Sequence, residues 1–234
     1  MNQTTTGTDD RFAERWARRV LAAADGRQRE YRAAIRFLTE CPRVLDVACG
    51  TGTFLALRRG SAIGIDINPD NIAFCREQGL DAVVGNALEL PFEPASFDGI
   101  HCSHLLQVFS PGEAVQAIRE MGRVVKPGGV IVLTTLNWFT RFFRHPENVR
   151  PYPPDAIRRL FGKQRGAQSP MFPNLPDITM EDIWLRRPPL WEFHGVVSRR
   201  RERIASLLNA IQSAVGMRNP WRFDAYVAKL RVGG

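Results

Sequence analysis

The stretch V-L-D-V-A-C-G-T-G-T-F-L, Val44 to Leu55, decides how this chain folds. It opens as an apolar strand broken only by Asp46, runs into a turn carrying Gly50 and Gly52, and leads directly into residues that read as a helix. Glycines in such a turn let the backbone adopt φ > 0 and approach a ligand, while the start of a helix offers unpaired N–H groups to polar ligand atoms. A plain strand-to-helix turn needs no acid at the strand end, so Asp46 favours a turn built around a nucleotide-like ligand. Sixteen residues past Gly50, a second short strand, A-I-G-I-D, ends in Asp66. A carboxylate there can accept both hydroxyls of a ribose. The alternative role for Asp66 is capping the helix that begins after Pro69.

Working outward, strand and helix patterns alternate. The spacing predicts a strand at Arg43–Val47, a helix at Thr51–Arg58, a strand at Ala62–Asp66, a helix at Pro69–Gln78 and a strand at Ala82–Gly85. After a loop with Pro91 and Pro94 come a strand at Phe97–Cys102, a helix at Gly112–Val125 and a strand at Val130–Leu136. Such alternation predicts an α/β, doubly wound parallel sheet with right-handed crossovers. Ahead of it, from about Asp10 to Thr39, apolar residues recur at helical spacing and Asp25-Gly26 interrupts them, which predicts two N-terminal helices. Beyond Asn137 the rhythm changes: prolines cluster, and the expected elements are a helix at Pro154–Leu160, a strand at Ile178–Leu185, an amphipathic helix at Arg200–Val215 and a last strand at Arg222–Leu230. The expected organisation is one domain, with a tail and helices over 1–39, a ligand-binding core over 40–137 and acceptor-side additions over 138–234 that complete the sheet.

Five segments in order, Val44–Leu55, Gly64–Asn68, G-N-A-L-E-L-P-F (Gly85–Phe92), S-F-D-G-I (Ser96–Ile100) and R-V-V-K-P-G-G (Arg123–Gly129), resemble the motif set of class I S-adenosylmethionine-dependent methyltransferases. They are similar in particular to the branch that holds the ubiquinone and menaquinone biosynthesis and natural-product methyltransferases. The resemblance implies a Rossmann-like, mostly parallel seven-stranded sheet with an antiparallel last strand, and S-adenosyl-L-methionine as cofactor. It also implies that Asp46, Ala48, Gly50 and Gly52 line the methionine end of the cofactor, that Asp66 binds the ribose, that Ile67 packs on the adenine, that Asn86 and Ala87 edge the base, and that Ser103 lies at the cofactor after the fourth strand. Two positions depart from the pattern: Asn86 stands where Asp is usual, and Ala48 replaces the first glycine of the loop. An amide oxygen still accepts a hydrogen bond from an amino group. A nicotinamide site is disfavoured, because its G-x-G-x-x-G fingerprint requires glycine where the chain has Leu55.

Methyl transfer from a sulfonium is an in-line displacement, which asks the protein to position a nucleophile and, for a neutral one, to take up a proton. His104, just past the fourth strand, is the first candidate general base, with His194 and Tyr152 from the C-terminal half behind it. His101, inside the strand, reads as a satisfied core histidine. A carboxylate or activated-carbon acceptor needs no base. Cys102 lacks the Pro-Cys turn of cytosine-C5 chemistry, H-C-S-H stands where amino-directed nucleic-acid enzymes carry Asn/Asp-Pro-Pro-Tyr/Phe, and there is no carboxylate cluster of the magnesium-dependent catechol type. These features favour a small-molecule acceptor, more at oxygen than at carbon or nitrogen. The rivals are an RNA methyltransferase and a binding module without turnover.

Charge leaves the rivals open. Net charge is +8, and all the excess is C-terminal: residues 1–137 hold 15 Lys+Arg against 16 Asp+Glu, residues 138–234 hold 17 against 8. A basic half suits nucleic acid, an anionic membrane surface, acidic substrates or merely a solvated face, the last because 29 of the 32 basic residues are Arg spread along the chain. The stripe Ile204, Leu207, Leu208, Ile211 and Val215 behind an Arg cluster would pack on the sheet, cover a hydrophobic acceptor or make peripheral membrane contact. Four scattered cysteines and four scattered histidines form no zinc-site spacing, so reduced thiols and no structural metal are expected. With no apolar run near ~18 residues and no signal-peptide pattern in MNQTTTGTDD, the expected location is cytoplasmic.

Overall fold

The computed structural model describes residues 26–137, 142, 145–161, 177–186 and 225–233. The expected first N-terminal helix, the helix expected at Arg200–Val215 and His194 lie outside them.

The elements are α1 (Gly26–Phe37), β1 (Val44–Val47), α2 (Thr53–Leu57), β2 (Ala62–Asp66), α3 (Pro69–Glu77), β3 (Ala82–Val84), β4 (Phe97–Ser103), a 3-10 turn (Leu106–Val108), α4 (Pro111–Val124), β5 (Val125–Leu136), α5 (Pro154–Phe161), β6 (Ile178–Arg186) and β7 (Ala225–Val232). The strands form one seven-stranded sheet in the order β3-β2-β1-β4-β5-β7-β6. The five strands from β3 to β5 run parallel, and β7 pairs antiparallel with both β5 and β6. Chain order reverses beside β1, between β1 and β4, which is where open α/β sheets leave a crevice at the carboxyl ends of their strands.

Local chemistry sets the element ends. Asn68 caps α3 by accepting from the Asp70 N–H at 2.9 Å, with Pro69 in the first turn. Ser110 and Glu113 form a reciprocal capping box at the start of α4, where Pro111 again occupies the first turn. Along α4, Ala114, Ala117, Ile118, Met121 and Val124 fall at helical spacing and are buried against the sheet. Strand β1 is buried at all four positions, as a central parallel strand covered on both faces must be. The opposite face is covered by α1 through Ala33, Ala34 and Phe37, continued by Leu38, which meet Val44, Val130, Val132 and Val227.

One expectation is corrected in detail. The Pro127-Gly128-Gly129 segment does not precede β5 but is a bulge within it: Phe97 pairs with Val125, and the ladder resumes only at Gly99 with Val130. Gly128 has φ 75, and a side chain on Gly129 would come within 2.8 Å of the Asp98 carbonyl oxygen.

Candidate functional site: the carboxyl edge of the sheet

The turn after β1 holds three residues at positive φ, Ala48 (59°), Gly50 (53°) and Gly52 (77°). Their reasons differ. A Cβ on Gly52 would lie 2.7 Å from Leu80 Cδ1 and 2.8 Å from Cys75 Sγ, so packing as well as backbone geometry demands glycine. A Cβ on Gly50 would meet nothing within 4 Å, so the chain leaves open space there. Asp66 ties this turn to β2: its Oδ2 accepts from the Gly50 N–H at 2.9 Å, and its Oδ1 accepts from the Asn68 N–H at 2.9 Å and Asn71 Nδ2 at 3.2 Å. The carboxylate is half-buried and is thereby fixed at the edge of the crevice. Next to it, Ile67 is 71% exposed and Val84 is 49% exposed, two of three large apolar side chains so exposed among the described residues. An acid flanked by bare apolar surface beside an open glycine turn fits an adenosine-bearing ligand: hydroxyls meet the carboxylate and the base meets the apolar side chains.

The loop after β3 completes that edge. Asn86 is exposed, its Oδ1 accepts from the Leu88 N–H at 2.9 Å, and Ala87 is partly buried. Arg123 holds the loop through Leu90 O (2.9 Å) and Phe92 O (2.8 Å), while Glu120 accepts from the Leu90 N–H at 2.8 Å and pairs with Arg123 at 2.7 Å. The arginine of R-V-V-K-P-G-G therefore acts by fixing the loop that presents Asn86.

Beneath the glycine turn lies a buried pair. Asp46 and His101 are register partners on β1 and β4, so their side chains emerge on one face, and His101 Nδ1 sits 2.7 Å from Asp46 Oδ1. Both are almost fully buried, Phe54 stacks on the imidazole at 3.9 Å and Tyr31 lies 6.0 Å away, tilted. Burial pushes the Asp46 carboxyl above the usual carboxylate range, more than the hydrogen bond and charge of His101 pull it down. Burial, with the Asp46 charge, also pushes the Tyr31 hydroxyl up to about 12.

Three residues further on, His104 is held differently. It has φ 58, and its N–H donates to Thr134 O at 2.8 Å. Its Nε2 lies 3.0 Å from Glu30 Oε2, and Arg186 Nη1 grips Glu30 Oε1 at 2.7 Å. Three distant elements, α1, the exit of β4 and the end of β6, meet in this cluster. Burial raises the Glu30 carboxyl, but His104, Arg186 and Arg27 together outweigh it and hold the group below the usual range. His104 Nδ1 is shielded from solvent and has no hydrogen-bond partner among the described residues, a condition worth about 1–3 kcal/mol to relieve.

The candidate positions named from sequence fall into two groups. The structure brings Asp46, Ala48, Gly50, Gly52, Asp66, Ile67, Asn86, Ala87, Ser103 and His104 to the carboxyl ends of β1 to β4. It does not bring Tyr152 there. That residue packs with Tyr226 and Ile157 on the face opposite α1; its hydroxyl is buried without a partner and raised by burial. Cys102 is buried and its thiol is pushed far up, so it is no nucleophile. All four cysteines are free, and among the described residues no group of three or more His, Cys, Asp or Glu could hold a metal ion. Sequence reading missed Glu30 and Arg186, yet each left a trace: Glu30 lies three and four positions before Ala33 and Ala34 on the apolar side of α1, and Arg186 closes a strand two positions past Trp184. It also missed Gln107, whose Oε1 accepts from the Leu136 N–H (3.0 Å) and whose Nε2 reaches Asn148 (2.9 Å), tying the segment after β5 to the 3-10 turn.

Residues 44–129 match the family described as "Methyltransferase domain", so this stretch is a methyltransferase domain of the S-adenosylmethionine-dependent class. The chain is 37% identical over 107 residues, 41% of its length and 37% of the relative's, to a fatty-acid O-methyltransferase of Mycolicibacterium smegmatis. It is 33% identical over 147 residues, 55% of its length and 36% of the relative's, to 24-methylenesterol C-methyltransferase 2 of Oryza sativa. It is 34% identical over 93 residues, 39% of its length and 23% of the relative's, to a tRNA (carboxymethyluridine(34)-5-O)-methyltransferase of Arabidopsis thaliana. The matches thus span 23–37% of these relatives. Among solved structures, a SAM-dependent methyltransferase from Archaeoglobus fulgidus shares the fold, with TM-score 0.60 and 21% identity over 88% of this chain and 94% of that one. No helix among the described residues is long and apolar enough to cross a membrane.

Proposed function

We propose that the chain transfers a methyl group from S-adenosylmethionine to a small-molecule acceptor at an oxygen atom. The cofactor reading rests on one junction: Gly50, with open space above it, bonded through its N–H to Asp66, beside the exposed Ile67. In this reading Asp46, Ala48, Gly50 and Gly52 serve the methionine end, Asp66 the ribose, Ile67 the adenine face, Asn86 and Ala87 the base edge, and Ser103 the rim after β4. When bound, the cofactor supplies an electrophilic methyl carbon on a sulfonium sulfur. The protein's own task is to orient the acceptor and to remove a proton. His104 is the group proposed for that second task, because its unpartnered ring nitrogen suits an acceptor hydroxyl that has a proton to give. Residues 138–234 supply the acceptor side; their excess of Arg suits an anionic acceptor, and the apolar stripe from Ile204 to Val215 suits a hydrophobic one. The O-methyltransferase among the relatives supports oxygen as the atom.

The second reading, transfer to RNA, is favoured by the basic C-terminal half and by the tRNA-modifying relative. One experiment separates the two. Incubated with methyl-labelled S-adenosylmethionine and a cell extract, the protein is expected to place label in small metabolites or lipid, with little change on adding salt. Label chiefly in RNA, falling steeply as salt rises, would overturn the small-molecule reading. Cofactor binding with no label transferred to any fraction would leave a binding module.

A further inference from the structure

Glu30 on α1, His104 at the exit of β4 and Arg186 at the end of β6 form a chain of contacts whose last atom is unsatisfied. Arg186 Nη1 lies 2.7 Å from one oxygen of Glu30, the other oxygen lies 3.0 Å from His104 Nε2, and His104 Nδ1 has no hydrogen-bond partner among the described residues. An ionised carboxylate can only accept hydrogen bonds, so Nε2 must carry the proton. In the neutral ring the lone pair then sits on Nδ1. A fixed carboxylate behind an imidazole selects a tautomer and stabilises the imidazolium that forms when the ring takes a proton. Arg186 holds Glu30 from the far side, and Arg27 on the same helix adds positive charge.

From this geometry we infer that Glu30 is the positioning residue for His104, setting Nδ1 as the proton-accepting atom of the methyl-transfer site. The inference rests on the methyltransferase reading above. In the step, the acceptor O–H bond breaks and its proton goes to Nδ1. The oxygen electron pair forms the bond to the methyl carbon, and the carbon–sulfur pair leaves with sulfur. The imidazolium, paired with Glu30, later returns its extra proton to water.

The test begins on the wild-type protein with 15N-histidine labelling. Ring nitrogen shifts in the neutral form are expected to show His104 protonated at Nε2 and bare at Nδ1. A proton on Nδ1 would overturn the proposal, and this holds whether or not any variant folds. Glu30→Gln removes a charge that favours the imidazolium, so the acid limb of the pH–rate profile should move to lower pH. kcat should fall about tenfold to a hundredfold, less than the ~10²–10⁴-fold expected for losing a general base itself, while cofactor affinity stays within about twofold. Glu30→Asp should recover part of the loss. An unmoved pH–rate profile in Glu30→Gln would sink the positioning role. Failure to bind S-adenosylmethionine in calorimetry would instead sink the underlying methyltransferase reading, with the tautomer measurement still standing.

Discussion

Two histidines three residues apart on one segment each hold a carboxylate, and the two pairs behave oppositely. His101 faces Asp46 across adjacent strands in the interior, sealed by Phe54. His104 faces Glu30 across the rim, with its side chain 25% exposed and Arg186 in support. In the first pair burial wins and the Asp46 carboxyl rises; in the second, three positive partners win and the Glu30 carboxyl falls. The same chemical contact is thus a structural bolt in one place and an adjustable group in the other, according to how many charges share the carboxylate.

The largest expected effect separates the pairs by stability. His101→Ala leaves Asp46 buried without a partner, at a cost of about 3–5 kcal/mol in urea unfolding. His104→Ala leaves Glu30 still paired with Arg186 and should cost roughly 1–2 kcal/mol. Equal losses would erase the distinction. Asp66, a third carboxylate bonded to backbone and amide N–H groups, is the control with a ligand duty. Asp66→Ala should weaken S-adenosylmethionine binding by more than about tenfold in calorimetry, or about 1.4 kcal/mol; unchanged affinity would refute the ribose assignment.

A subtler test uses pH. The raised Asp46 carboxyl favours the folded state at low pH, and that contribution is lost as pH climbs through its folded value. The lowered Glu30 carboxyl contributes above its unfolded value and loses this as pH falls through its folded value. Wild type compared with Asp46→Asn should therefore lose relative stability toward higher pH, and wild type compared with Glu30→Gln toward lower pH. Matching slopes would contradict the contrast. The smallest effect concerns how β1 and β4 end, each on a non-glycine residue in the left-handed region, Ala48 and His104. Ala48→Gly should relieve strain and raise stability by roughly 0.5–1 kcal/mol, measured as the unfolding midpoint.

The parallel strands of the sheet were legible because their signals are local: short, mostly apolar runs bounded by glycine and proline. Asp66 was legible for the same reason, being the acid that closes a short strand. The boundary of β5 was not, since Val125 joins the ladder only because Phe97 lies opposite it. The His104 cluster was half legible. His104 follows β4 in an obvious place, but Glu30 is 74 residues away and Arg186 further still, and only the crossing of α1 over the sheet brings them together. Asp46 was read as facing the ligand; its bond to His101 depends on strand register, which sequence spacing does not reveal.

The position of β7 has a consequence for synthesis. Among the described strands it comes after all the others in the chain, yet it fills the gap between β5 and β6. A growing polypeptide therefore leaves the ribosome with one edge of β5 and the whole of β6 without their β7 partner while the 38 residues between Arg186 and Ala225 are translated. At cellular elongation rates that interval lasts about 2–8 seconds, long enough for bare strand edges to recruit a chaperone or another nascent copy.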